Sequence, residues 1–198
     1  MSKIVYNMSM SLDGFVTSAG RTPETPLGVS GERLHEWGAE GADPRSLALI
    51  EENAAGVGAM ITGRGTYDDS LPWWGPDGPT GAARIPLFVL THRADPGPDP
   101  DSVYEFVTDG VESVVARARA AAGDKEIAVS GVEIGRVLLQ SGHLDEIWIH
   151  VTPLLFGDGT RLYEQMGADP IDLELLDSVA TPQAVHLRYR VVRRNAEA

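Results

Sequence analysis

Two stretches of the sequence place glycine between a short apolar run and an amphipathic segment, a spacing that suits phosphate binding. In residues 126–142 (EIAVSGVEIGRVLLQSG) the apolar run stops at Ser130 and Gly131, and helical spacing follows. In residues 63–69 (GRGTYDD) the turn also carries Arg64 and Thr66. A strand that turns into a helix directs free backbone N–H groups and the positive end of the helix dipole at one point. One such turn is common in proteins that bind nothing there, but two predict the two halves of a diphosphate site.

A third group of polar residues follows another apolar run, residues 86–90 (PLFVL). Thr91, His92 and Arg93 bring a hydroxyl, an imidazole and a guanidinium to the end of the predicted strand. An arginine can bind phosphate oxygens in a bidentate manner. This group is therefore a second candidate anion site.

Residues that could transfer a proton are few, and each has a plain structural alternative. Asp13 lies in the SLDGF turn after the first predicted strand, where it is either a catalytic group or a turn-forming aspartate that bonds backbone. His35 lies in a long connection over residues 16–41, and we expect a solvated histidine there rather than a proton donor.

Aromatic and cationic side chains elsewhere also allow two interpretations. Trp73 and Trp74 fall in a Pro/Gly-rich stretch, residues 70–85, that we expect to be a loop. They are either a ligand wall or a cover over the edge of the core. His186, Arg188 and Arg190 alternate along the last predicted strand, and we interpret them as a solvated sheet face.

The elements that must position these residues alternate between strand and helix, which predicts an α/β fold with a mostly parallel sheet. An N-cap at Asp43 with proline at the next position marks the start of one helix. A closing antiparallel hairpin is predicted for residues 173–179 and 184–192. Further strands are predicted at residues 3–10, 59–62, 87–90, 103–107, 127–129 and 144–151, and further helices at 31–37, 110–122 and 132–142.

Length, charge and composition exclude several kinds of protein. A chain of 198 residues suits one domain, here residues 1–198. The absence of cysteine excludes disulfides, thiol nucleophiles and thiolate metal sites, and no metal site is predicted. A formal net charge of −13 argues against nucleic-acid and membrane binding. No 18-residue apolar run and no signal-peptide core are found, so we expect a cytoplasmic protein.

Five landmarks taken in order resemble a known family over nearly the whole chain. The sequence is similar to dihydrofolate-reductase-like proteins of the group that contains the C-terminal reductase domain of riboflavin-biosynthesis enzymes. The landmarks are MSLDGF at residues 10–15, ITGRGTY at 61–67, VLTHR at 89–93, VSGVEIGRVLLQSGHLDEI at 129–147 and PLLFGDGTRLY at 153–163. The resemblance implies a central, mostly parallel twisted sheet flanked by helices, with a C-terminal antiparallel hairpin.

The same resemblance implies NADPH as cofactor, hydride transfer to a small-molecule substrate, and a homodimer formed through the closing hairpin and the 144–151 strand. Gly63, Arg64 and Thr66 match the element that holds the cofactor phosphates, and Asp13 matches the loop beside the nicotinamide. Asp69 lies near where relatives contact the substrate, so the resemblance makes it a catalytic candidate beside Asp13. Residues matched to the 2′-phosphate cluster are Thr91, His92 and Arg93, and those matched to the diphosphate turn and the Gly-Asp-Gly turn are Ser130, Gly131, Val132, Glu133, Ile134 and Gly157.

Departures from the family pattern bear on the substrate. No acidic residue of the 36–43 region matches the group that assists pterin protonation in dihydrofolate reductases. The first strand starts at residue 3, so we expect no deaminase domain before it. The resulting hypothesis is an NADPH-dependent reductase of a small heterocyclic (pterin- or pyrimidine-like) or carbonyl compound. The alternatives are a nucleotide-binding module without turnover, and an interaction protein that uses Trp73 and Trp74 as its interface.

Overall fold

The computed structural model of the protein describes residues 2–93, 99–164, 166–167 and 169–193. Four α-helices are described: α1 (Pro44–Gly56), α2 (Arg64–Trp74), α3 (Val111–Ala122) and α4 (Val132–Gln140), with 3-10 helices at Gly31–Gly38 and Gly81–Ala83. The strands are β1 (Ile4–Ser11), β2 (Phe15–Ser18), β3 (Val57–Gly63), β4 (Leu87–Leu90), β5 (Tyr104–Val107), β6 (Glu126–Ser130), β7 (Glu146–Thr152), β8 (Gly159–Arg161), β9 (Leu173–Ala180) and β10 (Val185–Val191).

Eight of these strands form one sheet in the order β5-β4-β3-β6-β1-β7-β10-β9. Every pairing from β5 to β7 is parallel, and β10 and β9 close the sheet in antiparallel fashion. The predicted mostly parallel sheet with a C-terminal hairpin is therefore confirmed. Because β1 lies between β6 and β7, the first strand to be made occupies the middle of the sheet, where Ile4 and Tyr6 are almost fully buried.

The 3-10 helix Gly31–Gly38 shows how local sequence positions side chains. Gly31, Leu34 and Trp37 are its buried residues, one in every three. Three residues per turn place positions i and i+3 directly above one another. The helix therefore packs one row against the protein and turns the remaining rows outward.

Two regions predicted to be irregular are regular in the structure. The start of the 16–41 connection belongs to β2, which pairs antiparallel with β8 in a second, two-stranded sheet. The partner strands are far apart in sequence, so no local pattern signals the pairing. Gly159 permits it, because a Cβ there would lie 2.0 Å from the Thr17 carbonyl oxygen.

The predicted loop at residues 70–85 was wrong at its start, because α2 continues through Pro72 to Trp74. Proline lacks an N–H group and removes one helical hydrogen bond. Trp74 is partly buried and packs with Tyr67 and Leu87 in a small core cluster, and this contact helps to hold the last turn despite the lost bond. Trp73 remains 59% exposed.

The interpretation of His186 and Arg188 as members of a solvated face was wrong. His186 is only 2% exposed, and its Nδ1 lies 2.7 Å from Nδ1 of His150 while its Nε2 lies 3.0 Å from the Ser46 hydroxyl. Arg188 is hydrogen-bonded to Glu146 at 2.6 Å and to Glu126 at 2.7 Å. β10 is an inner strand, so other elements can cover its faces; the ring of Trp37 lies against both histidines.

The parallel strands bring their carboxyl ends to one edge of the sheet, where ligands of open α/β sheets usually bind. In the part of the chain that the structure describes, no helix is both long enough and apolar enough to cross a membrane.

Candidate functional site

Residues predicted to bind phosphate follow three neighbouring strands at the carboxyl edge. Residues 91–93 follow β4, residues 63–66 end β3 and begin α2, and residues 130–134 end β6 and begin α4. Since β4, β3 and β6 are adjacent, and neighbouring strands lie about 4.8 Å apart, the three groups form one row roughly 10 Å long. An extended dinucleotide can lie along such a row.

The two glycine turns touch each other. Gly131 has a φ of 103°, and a Cβ added there would lie 2.4 Å from the Thr66 hydroxyl oxygen. Gly131 and Gly63 are the N-cap residues of α4 and α2, and neither end has a hydrogen bond from a capping side chain. Both helices therefore present their first N–H groups at one place, where an anion can accept them.

Ser130 adds a hydroxyl at the same place. Its Oγ is buried and has no hydrogen-bond partner within the described protein. Such an atom is costly to bury unless something else satisfies it. Together with the glycine beside it, this hydroxyl fits a phosphate group of a nucleotide cofactor.

The turns open into a cleft with a volume of about 760 Å³. Eight of the predicted site residues line it: Gly63, Thr66, Asp69, Ser130, Gly131, Val132, Glu133 and Ile134. The other six lie outside its walls: Asp13, Arg64, Thr91, His92, Arg93 and Gly157.

Arg64 extends away from the cleft and toward β5. Its Nε donates to Asp68 at 2.7 Å, and the guanidinium carbon lies 5.3 Å from the centre of the Phe106 ring. Thr91 is at the same end, because its backbone N–H donates to the Val107 carbonyl at 3.0 Å. The Thr91 hydroxyl also accepts the Arg93 N–H at 3.2 Å. Arg64 and the 91–93 turn thus flank the end of β5, beside the two glycine turns.

Asp13 joins two loops. Its carboxylate accepts hydrogen bonds from the Ser11 hydroxyl at 2.5 Å, the Phe156 N–H at 3.2 Å and the Gly157 N–H at 2.8 Å. The bond from Ser11, with the two backbone bonds, lowers the pKa of Asp13 to about 2. A carboxyl group with this pKa is ionised at neutral pH, so these surroundings favour loop positioning over proton donation.

Asp69 pairs with Arg21 across the cleft. Arg21 also donates from Nε to the Pro26 carbonyl at 2.7 Å. The connection between β2 and the 3-10 helix is thereby fastened to α2. Both partners line the cleft, so the pair forms part of its rim.

The sequence matches the family model for the RibD C-terminal domain over residues 2–187. The chain belongs to the RibD C-terminal domain family. A search of curated proteins found no match.

Solved structures with this fold include relatives named for riboflavin synthesis. A Shewanella sp. PV-4 protein named for riboflavin biosynthesis has a TM-score of 0.72 and 23% identity, with 98% of this chain and 100% of that chain covered. The Thermotoga maritima diaminohydroxyphosphoribosylaminopyrimidine deaminase/5-amino-6-(5-phosphoribosylamino)uracil reductase has a TM-score of 0.69 and 13% identity. There the match covers 96% of this chain but 57% of that one. The dihydrofolate reductase of Enterococcus faecalis, in complex with NADP(H), has a TM-score of 0.54 and 14% identity, with 96% of each chain covered.

In this member of the RibD C-terminal domain family, the sequence pattern had pointed to His35 but not to Glu32 as a candidate, and it had placed neither of them at the cleft wall. Glu32 and His35 both line the cleft, and they lie three residues apart on the 3-10 helix. The buried row Gly31, Leu34, Trp37 was the signal that could have located them, because it leaves 32 and 35 together on a neighbouring row.

His35 is exposed, as we expected, but it lies on a 3-10 helix that lines the cleft rather than in an irregular loop. Its side chain is exposed to the cleft, but the surrounding protein removes enough water to lower its pKa. The imidazole is therefore neutral at pH 7 and can accept or donate a hydrogen bond at the cleft wall.

Arg136 is the other cation of the wall besides Arg21. Its Nη2 donates to the Arg161 carbonyl at 2.8 Å and lies 3.5 Å from the Glu164 carboxylate. These bonds tie α4 to the end of β8 and to the segment that follows it. Trp73 and Trp74 both line the cleft, and Trp74 also packs against the Tyr67 and Leu87 cluster, so the tryptophan pair combines both interpretations.

Proposed function

We propose that this protein is an NADPH-dependent reductase of a small heterocyclic compound, with a pyrimidine- or pterin-like ring as the first candidate and a carbonyl compound as the second. The contact between the two glycine turns supports it most directly: Gly131 packs against Thr66, with the buried Ser130 hydroxyl left without a protein partner. Membership in the RibD C-terminal domain family agrees with this proposal.

The residues present fit the cofactor in parts. The uncapped N-termini of α2 and α4 would hold the diphosphate, and the Ser130 hydroxyl would donate to one of its oxygens. Thr91, His92 and Arg93, with Arg64 beside them, would hold the adenosine 2′-phosphate. When bound, NADPH would supply a hydride from its nicotinamide ring.

A proton must also reach the substrate, and the cleft wall offers candidates for supplying it. Glu32 and His35 lie one 3-10 turn apart and both reach the cleft, whereas Asp69 is engaged by Arg21. Proton transfer needs a group within hydrogen-bonding reach, directly or through one water molecule. We therefore rank Glu32 and His35 ahead of Asp69 and Asp13 as proton-transfer residues.

Cofactor binding can be tested by fluorescence titration, because Trp73 lines the cleft and is 59% exposed. NADPH should quench its emission and bind much more tightly than NADH. Arg93→Ala should weaken NADPH about 10- to 150-fold, the range for losing a charged hydrogen bond of roughly 1.5–3 kcal/mol, and should hardly change NADH. Arg190→Ala, an exposed arginine on β10, is the matched control and should change neither. If Arg93→Ala weakens NADPH and NADH equally, Arg93 does not bind the 2′-phosphate.

Turnover is tested separately by following NADPH oxidation against a panel of pterins, pyrimidines and quinones. Oxidation with one class identifies the substrate class. Glu32→Gln or His35→Asn should then lower kcat strongly while KM changes little. Binding of NADPH without oxidation by any compound would support the alternative of a nucleotide-binding module.

We also propose a homodimer that forms through the closing hairpin. β9 is the outermost strand of the sheet, and Leu173 and Leu175 on it are 43% and 54% exposed. An exposed apolar edge strand favours pairing with another chain. Sedimentation at micromolar concentration should give twice the chain mass of 21.2 kDa. Leu175→Arg should shift the protein toward monomer, and a wild-type monomer would contradict the proposal.

A further inference from the structure

Carboxylates dominate the charge of the cleft walls. Five acidic residues line it (Glu24, Glu32, Asp69, Glu133 and Glu164) against two arginines, which leaves an excess of three negative charges. His35 adds none at neutral pH. A ligand that fills this space meets a negative potential except where backbone N–H groups offset it.

Both arginines of the wall already have partners. Arg21 pairs with Asp69 and donates to the Pro26 carbonyl at 2.7 Å. Arg136 donates to the Arg161 carbonyl at 2.8 Å and lies near Glu164. To bind a phosphate, either guanidinium would have to exchange these bonds for new ones while the carboxylates stay nearby.

The anion-binding groups of the cleft lie at the end assigned to the cofactor. These are the N-termini of α2 and α4 and the Ser130 hydroxyl. Away from these turns, the lining combines apolar, aromatic and acidic side chains, such as Leu27, Trp73 and Glu32, with neutral hydroxyl groups, His35 and the two arginines that already have partners. An aromatic and aliphatic surface suits a planar ring, and a carboxylate accepts hydrogen bonds from its N–H groups.

We propose that the substrate end of the cleft takes a planar heterocycle that carries amino or ring N–H donors and no phosphate group. This inference rests on the proposed function, because it assigns the glycine turns to NADPH. It separates the protein from reductases that act on phosphoribosyl compounds. The preference for a substrate without phosphate comes from the negative charge of the cleft wall and from the two arginines, which are already bonded to other groups.

The test measures binding rather than turnover. Protein saturated with NADP⁺ is titrated with 2,4-diaminopyrimidine, cytidine and cytidine 5′-monophosphate, with tryptophan fluorescence as the readout. Cytidine should bind on the order of tenfold more tightly than its monophosphate at low ionic strength, and the ratio should fall as salt screens the wall. A monophosphate that binds as tightly as cytidine, or more tightly, overturns the inference.

Two charge-reversal variants distinguish the effect of charge at the cleft wall from the effect of the protein's net charge. Glu24→Lys changes a residue of the cleft rim, whereas Glu51→Lys makes the same change on α1, away from the cleft. Glu24→Lys should reduce the ratio of the two cytidine affinities about threefold or more, and Glu51→Lys should leave it unchanged. Equal effects of both variants would overturn the role of the wall.

Two further outcomes separate this inference from the proposed function. If NADP⁺ binds but none of the three compounds does, the substrate assignment fails and the cofactor site stands. If NADP⁺ itself does not bind, the proposed function fails, and the inference falls with it.

Discussion

Substitution of Gly131 tests the site where the two turns meet. The residue has a φ of 103° and a ψ of 140°, in a region that is accessible almost only to glycine. An alanine there costs about 1–3 kcal/mol in backbone strain. Its Cβ would also lie 2.4 Å from the Thr66 hydroxyl oxygen and 3.3 Å from the Thr66 Cβ, so the start of α2 must move by about 1 Å.

Two quantities should change in Gly131→Ala. The free energy of unfolding should fall by about 2–4 kcal/mol, which lowers Tm by roughly 5–12 °C for a chain of this length. NADPH should bind about 10- to 150-fold more weakly, because displaced N–H groups lose charged hydrogen bonds of roughly 1.5–3 kcal/mol. Urea denaturation and fluorescence titration measure the two effects independently.

Gly123→Ala is the matched control for backbone strain. Gly123 also has a positive φ, 61°, but a Cβ there meets nothing within 4 Å, and the residue ends α3. This variant should lose about 1–3 kcal/mol of stability through backbone strain alone and keep its NADPH affinity. In a Thr66→Ala background, the stability loss of Gly131→Ala should shrink to the part caused by strain. A Gly131→Ala protein with wild-type NADPH affinity would refute the assignment of this turn to the diphosphate.

Three further predictions concern the core and its buried charges. Burial lowers the pKa of His150 from 6.5 to about 3, so between these pH values only the unfolded state gains a proton. The free energy of unfolding should therefore fall as the pH drops from 6.5 toward 3, by up to about 1.4 kcal/mol per pH unit. In urea titrations, His150→Gln should make this pH dependence shallower. Gly135→Ala should lower stability by about 1–3 kcal/mol in thermal melts, because its Cβ would lie 2.3 Å from the Tyr6 ring; Tyr6→Leu should recover part of the loss. Arg188→Met should lower the free energy of unfolding in urea by about 2–3 kcal/mol, because the carboxylate of Glu146, which is 2% exposed, loses its arginine partner. An unchanged urea midpoint would count against a stabilising role of this ion pair.

Local sequence was enough to determine much of the sheet edge. Glycine after an apolar run predicted both helix starts. At Gly131 the reason is steric, because only a residue without Cβ tolerates its φ and its approach to Thr66. The N-cap at Asp43 was likewise predictable, since its side chain accepts the Arg45 N–H at 2.9 Å within the same turn. The five sequence motifs, taken in order, then predicted the family and the fold.

Tertiary structure decided what the residues meet across the chain. His186 reads as one of three polar residues that alternate along a strand, yet it is buried because β10 lies inside the sheet and Trp37 covers it. Arg21 pairs with Asp69, 48 residues away, and that pairing removes both from the set of free charges in the cleft. Spacing along a chain determines turns, caps and periodic faces because these depend on near neighbours. The charge balance of a cleft depends on side chains from distant segments, so only the folded arrangement could reveal it.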